Sequence, residues 1–189
     1  DEQRERLLAG FRWILVDEYQ DIGLDQYELI AALAGRSLKE KESKLSLFAV
    51  GDDDQNIYAF SGASVEFIRR FEQDYSAKGF YLTDNYRSTA HIIEFANLVI
   101  APARERMKVN HPIQIDRTRR KEPLGGVFQW LDPVTQGRVA ILPVGSDMIS
   151  QAYHVMEEME RRASLDPEWS WDECAVIARE WKWLEPVRA

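Results

Sequence analysis

Only one cysteine, Cys174, stands in the 189 residues. No intramolecular disulfide can form, so the fold must hold by burial and hydrogen bonding, and the composition suits a reducing, cytoplasmic setting. Cys174 lies in the apolar run Cys174-Ala175-Val176-Ile177-Ala178, the surroundings of a buried structural thiol rather than of a nucleophile. No apolar run approaches bilayer length, which excludes a membrane-spanning helix, and no signal-peptide pattern is present. Basic residues are in deficit. With 24 Lys+Arg against 32 Asp+Glu the formal charge is -8, which argues against polyanion binding over the whole surface but leaves room for a local nucleic-acid groove. Missing too is any Gly-x-x-x-x-Gly-Lys-Ser/Thr segment, so the chain has no phosphate-cradling loop and no P-loop lysine. There is no internal repeat and no low-complexity tract. The chain opens Asp1-Glu2-Gln3-Arg4 rather than with Met, which reads as a piece of something longer.

What is present suffices for a real core, as one large domain or two small ones, at 45% hydrophobic and 11% aromatic content. The most informative stretch is Phe11-Arg12-Trp13-Ile14-Leu15-Val16-Asp17-Glu18-Tyr19-Gln20-Asp21. A run of Ile, Leu and Val without polar alternation predicts a strand buried on both faces, as in a parallel sheet. Ligands in such sheets bind beyond the carboxyl ends of the strands, where Asp17 and Glu18 fall. A second run, Leu45 to Val50, ends alike in Gly51-Asp52-Asp53-Asp54-Gln55. Two buried strands delivering acids to one edge suggest a nucleotide site.

Helical spacing predicts a helix over Asp25 to Ala34, stopped by Gly35. Arg36 to Lys44 reads as a solvated charged loop. A helix is expected around Val65 to Tyr75, a short strand over Gly79 to Leu82, and a helix from about Ser88 to Ile100, capped by Ser88 or Thr89 and broken by Pro102. Arg104, Arg106 and Lys108, then Arg117, Arg119, Arg120 and Lys121, could touch a phosphate backbone or, as such runs usually do, form charged, solvated connections. Val127 to Leu131 and Arg138 to Val144 suggest a hairpin through Pro133 to Gly137. A helix from about Met148 to Ala163, a strand Cys174 to Arg179 and a further helix start complete an alternating α/β pattern.

Chemistry concentrates in three segments. At the first strand end, Asp17 is suited to hold magnesium and Glu18 to activate a water; acidic pairs also cap helices and decorate turns. In Gly51 to Ala63, Gly51 allows a sharp exit from the strand, and the Gln55 amide can hydrogen-bond a terminal phosphate or its attacking water. Tyr58 and Phe60, two apart, either project together as a stacking platform for unpaired bases or belong to the core. In Tyr81 to Thr89, Tyr86 and Arg87 precede a helix start. There a ring can stack on adenine and a guanidinium can reach a γ-phosphate, or the two side chains are a packed ring and a turn cap.

Together these segments resemble the UvrD/Rep/PcrA family of superfamily 1 DNA helicases. Val16-Asp17-Glu18-Tyr19-Gln20-Asp21, with Gln26 downstream, looks like that family's motif II, Val50 to Ala63 like motif III, and Asn85-Tyr86-Arg87-Ser88-Thr89 like motif IV. The resemblance implies ATP and Mg2+ as cofactors, single-stranded or partly duplex DNA as partner, and ATP hydrolysis coupled to strand separation. It implies that Asp17 coordinates magnesium, Glu18 activates water and Gln55 contacts the γ-phosphate. Tyr86 then stacks on adenine, Arg87 is the arginine finger of the second motor domain, and Tyr58 and Phe60 contact single-stranded DNA. The implied fold is α/β, with RecA-like, P-loop NTPase-type parallel-sheet layers in pieces of two motor domains. Residues 1–80 are then the tail of the first and 81–189 the beginning of the second, with a fragment too short of phosphate-binding groups to be active alone. The family usually has Arg where this chain has Ser61, and often Trp where it has Phe60. Two other readings are open. A metal-dependent nuclease could use Asp17, Glu18, Asp52, Asp53 and Asp54 directly, and a helicase-like module could have lost its motor and serve interaction only.

Overall fold

The computed structural model describes residues 2–39 and 44–188. Contacts divide them into two compact units, one running to Leu82 and including Ile100–Pro112, the other holding Thr83–Val99 and everything from Ile113 on. Helices and short parallel sheets alternate, an α/β arrangement.

In the first unit, helix α1 (Glu2–Leu8) precedes strand β1 (Trp13–Val16), helix α2 (Leu24–Ala34) and strand β2 (Ser46–Ala49). β1 and β2 pair in parallel, Trp13 opposite Ser46 through Val16 opposite Ala49. α2 ends as the sequence predicts. Gly35 adopts φ 73°, a left-handed turn that lets its N–H and that of Arg36 return to Ala32 and Ala31 carbonyls. The Arg4 guanidinium adds bonds to the Ala32 and Leu33 carbonyls, a cation at the negative end of the helix. Of the expected loop Arg36 to Lys44, residues 40–43 lie outside the described residues.

The strands are not buried on both faces. Val16 and Ala49 pack on the core, but Leu15 is 76% exposed, and Trp13 and Phe48 share its open side. A continuous apolar run fits either a two-sided or a one-sided sheet, and only one side is covered by described elements. That covered side meets Tyr19, Ile22, Tyr27, Phe67 and Ile68. Tyr27 stacks on Phe67 at 4.4 Å, Tyr19 meets Phe71 edge-on at 5.1 Å, and burial pushes the Tyr19 phenol pKa up.

The helix expected over Val65 to Tyr75 is two, α3 (Val65–Arg69) and α4 (Phe71–Tyr75). Arg70 leaves helical geometry between them, its guanidinium over the Tyr27 ring and paired with Asp74. Gly79 to Leu82 forms no strand.

In the second unit the pairing comes later. β3 (Asp84–Asn85) runs parallel to β4 (Gln114–Ile115). Helix α5 (Ala90–Ile100) follows β3, and its amphipathic spacing buries Ala90 and Ile93. The expected hairpin is absent. Phe128–Leu131 winds as a short helix, α6, and residues 138–144 have no regular structure. The reason is Asp132, which is 0% exposed. Its carboxylate accepts the N–H groups of Val134 (2.9 Å) and Thr135 (3.2 Å) and the Thr135 hydroxyl, closing a tight turn after α6. Arg161 of helix α7 (Met148–Leu165) then forks onto it at 2.8 and 3.2 Å. Asp147 caps α7 through the Ser150 N–H. The expected strand Cys174 to Arg179 is irregular, and the chain ends its described part in helix α8 (Glu185–Arg188). No described helix is long and apolar enough to cross a membrane.

The Arg161 guanidinium holds Asp132 well below the usual carboxylate range and lowers Glu158 to about 2. Folded-state values below the unfolded ones mean stability that is full above about pH 5 and is lost as pH falls through the folded values. Asp132→Ala strands the Arg161 charge and opens the turn, and should cost about 3 kcal/mol in denaturant unfolding. The wild-type chain should lose stability steeply between about pH 4 and 2, and Asp132→Ala should lose less over that interval.

Candidate functional site

The parallel ladder does not stop at the strand ends. Val50 N–H donates to the Val16 carbonyl and Tyr19 N–H to the Val50 carbonyl, each at 2.9 Å, so the segments after β1 and β2 leave the sheet side by side. Asp17 and Glu18 sit on the first segment, exposed to solvent. Glu18 takes a left-handed backbone, φ 50° and ψ 44°, which costs a residue with a Cβ about 1 kcal/mol or more. Two bonds offset this. The Glu18 N–H donates to Asp17 Oδ1 at 2.9 Å, and the Glu18 Oε2 accepts from Gln20 Nε2 at 2.7 Å.

Gln20 stands out in the sequence only as a flanking residue, yet it is 1% exposed and joins the two segments. Its Oε1 accepts the Asp52 N–H at 2.9 Å, and Asn56 Nδ2 donates to its carbonyl at 2.6 Å. Gly51 makes this possible by its size. A Cβ there would lie 2.7 Å from Gln20 Oε1 and 2.7 Å from Ile68 Cδ1, so close approach is the reason for glycine rather than a positive φ. Asp52 in turn accepts from Gln55 Nε2 at 2.7 Å, which holds the Gln55 amide over the same loop. Gln26 caps α2, its Oε1 accepting the Gly23 N–H at 3.0 Å.

Arg106 and Lys108, solvated by the sequence reading, are largely buried in ion pairs. Arg106 forks onto Asp54 at 2.8 and 2.7 Å, and Lys108 reaches Asp52 at 2.5 Å. Asp53 accepts the Met107 N–H at 3.0 Å and lies 3.5 Å from Arg69. The Arg106 bond holds the Asp54 carboxyl below its ordinary value. The three aspartates are near enough together to hold a cation, but each already meets a positive charge of the chain. Asp17 differs. Its Oδ2 has no hydrogen bond among the described residues, and an exposed carboxylate with a free oxygen at a strand end fits a hard divalent cation with waters.

Tyr58 precedes and Phe60 lies within a 3₁₀ turn, Ala59–Ser61, closed by Gly62, their ring centroids 6.1 Å apart. Phe60 is 86% exposed and Tyr58 is exposed as well, so neither ring belongs to the core. In the second unit, Asn85 Oδ1 accepts the N–H groups of Arg87 (2.9 Å) and Ser88 (2.7 Å). This Asx turn leaves Tyr86 and Arg87 exposed just ahead of α5, and neither Ser88 nor Thr89 acts as the side-chain cap the sequence suggested. The first N–H of that helix beyond Ala90, from His91, is taken by the Leu124 carbonyl.

Residues 1–76 match the UvrD/REP helicase N-terminal domain. DNA helicase II of Haemophilus influenzae is 34% identical over 180 residues, which is 93% of this chain and 20% of that protein. The ATP-dependent DNA helicase Rep of Escherichia coli is 41% identical over 102 residues, 53% of this chain and 14% of that protein. The ATP-dependent DNA helicase UvrD1 of Mycobacterium tuberculosis is 48% identical over 92 residues, 48% of this chain and 12% of that protein. The chain thus spans about a fifth or less of these relatives' lengths. These matches support one family for the chain, the UvrD/REP helicases, and tie residues 1–76 to the N-terminal domain of that family.

Proposed function

We propose that this chain is an interior segment of an ATP-dependent DNA helicase or translocase that moves on single-stranded DNA and separates strands at ATP's expense. Residues 1–80 are the tail of a first RecA-like motor domain, and residues 81–189 the beginning of a second. The observation that carries this reading is the joined pair of strand-end loops, in which one hydrogen-bonded frame holds Glu18 and Gln55 beside an available Asp17 oxygen.

In this reading Asp17 is the ligand of Mg2+, and the ion, when bound, neutralises charge on the nucleotide phosphates. Glu18 accepts the proton of the water that attacks the γ-phosphate, and Gln55 hydrogen-bonds that phosphate or water. Tyr86 stacks on adenine. Arg87 stabilises the charge that develops as the γ-phosphoryl leaves. Tyr58 and Phe60 offer two exposed π-faces to unpaired bases. A nuclease using Asp52, Asp53 and Asp54 is disfavoured, because Arg69, Arg106 and Lys108 already neutralise them.

Three measurements test the reading. The 189-residue chain carries no Walker A loop, so it should bind ATP at millimolar Kd or weaker, about -4 kcal/mol, and show no DNA-stimulated hydrolysis. Such hydrolysis in the pure chain would overturn the segment reading. In a longer protein containing these residues and hydrolysing ATP, Glu18→Gln should keep nucleotide and DNA binding while turnover falls about 10²–10⁴-fold. In the same protein Tyr86→Ala should raise KM for ATP with kcat little changed, because ground and transition states use the stack alike. Arg87→Ala should instead lower kcat by about 10³-fold or more, with little rescue by Arg87→Lys. Equal losses of folding stability and nothing else would make Tyr86 and Arg87 structural.

A further inference from the structure

We infer that Gln20 is a positioning residue that sets the Glu18 carboxylate and registers it against the Gln55 loop, so that neither can move without the other. The inference rests on the role proposed for Glu18, and it concerns a residue that itself touches no substrate.

Continuity of bonding is the first ground. Glu18 Oε2 accepts from Gln20 Nε2 at 2.7 Å, Gln20 Oε1 accepts from Asp52 N–H at 2.9 Å, and Asp52 Oδ2 accepts from Gln55 Nε2 at 2.7 Å. The orientation of the Gln20 amide is dictated by its neighbours. A backbone N–H can only donate and a carboxylate only accept, so the oxygen must face Asp52 and the nitrogen Glu18. A rotated amide would break both bonds at once. The amide therefore has one working state, and that state requires both loops to be in place.

The second ground is burial. Gln20 is 1% exposed, so its polar groups depend on these partners rather than on water. Its second amide hydrogen has only a long contact, 3.4 Å, to Asp21, which leaves the Glu18 bond as the main one on that nitrogen. The third ground is the backbone of Glu18. A left-handed carboxylate residue does not hold that conformation by preference, and a neighbour fixed in the core supplies the constraint. Gly51 completes the fit, since a Cβ at that position would lie 2.7 Å from the Gln20 Oε1.

Other side chains serve this role less well. Glutamate at position 20 keeps an acceptor for Asp52 but turns the donor facing Glu18 into a like charge. Methionine keeps the volume and loses both bonds. Asparagine keeps both functions one methylene short.

Two experiments decide the matter. The first reads folding of the 189-residue chain, in a double-mutant cycle of Gln20→Met with Glu18→Ala followed by denaturant unfolding. A shared bond makes the losses less than additive, by about tenfold in the unfolding equilibrium constant. Additive losses would overturn the inference. The second uses a longer, ATP-hydrolysing protein that contains these residues. Gln20→Glu and Gln20→Met should each lower kcat about 10²-fold while KM for ATP changes less than about twofold, and Gln20→Asn should recover part of the loss. A KM change with kcat intact, or wild-type turnover in Gln20→Glu, would overturn it. Its failure is separable from that of the proposed function. If Glu18→Gln keeps full turnover the base role fails, whereas if only that variant is dead and Gln20→Glu is active, the positioning role alone fails.

Discussion

The parallel alignment of β1 with β2 is the constraint on which the first unit depends. Because Val16 stands opposite Ala49, the residues after each strand emerge together, and the ladder continues through Val50 and Tyr19. A slip of one residue in either strand would turn that strand's core residue, Val16 or Ala49, to the open side and carry Asp17 out of line with Val50. The residues just beyond the strands hold this register. Tyr19, 0% exposed, fills the core directly behind the acidic pair, and Gln20 uses both ends of its amide to tie the loops. Apolar burial fixes the sheet, and one buried polar group ties together the loops at its edge.

Charge does a different task. Asp52, Asp53 and Asp54 bring three negative charges to a short loop, which would repel one another if left alone. Arg69, Arg106 and Lys108 answer them, and the pairs of Arg106 and Lys108 anchor the segment Ile100–Pro112 to the rest of the first unit. The second unit repeats the device with Asp132 and Arg161, where a buried carboxylate organises a turn and fastens it to α7. In both places the ion pair is a matter of arrangement more than of net stability, since the cost of burying charge takes back much of the attraction.

Glu18 shows how a strained residue can be kept. Its left-handed backbone aims the carboxylate outward while Tyr19 and Gln20, next in the chain, point into the core. Asn85 solves the like problem in the second unit with its own side chain, turning the backbone so that Tyr86 and Arg87 face solvent.

The amino-acid sequence by itself determined the elements whose signals are local. The helix ending at Gly35, the helix beginning at Met148 and the two apolar strands with acids after them were legible. So was the placement of Asp17, Glu18 and Gln55 beyond strand ends and of Tyr86 and Arg87 ahead of a helix, because spacing, glycine and turn chemistry act within a few residues. Non-local matters were not. Which face of β1 is covered, why Val127 to Leu131 coils instead of pairing, and where Arg106 and Lys108 place their charges depend on partners tens of residues away. Gln20 is the sharpest case. In the sequence it is one polar residue after an acidic pair, and only the approach of Asp52 and the missing side chain of Gly51 make it the link between two loops. A hydrogen bond needs both of its ends within about 3 Å, and tertiary packing alone brings residues 20 and 52 that close.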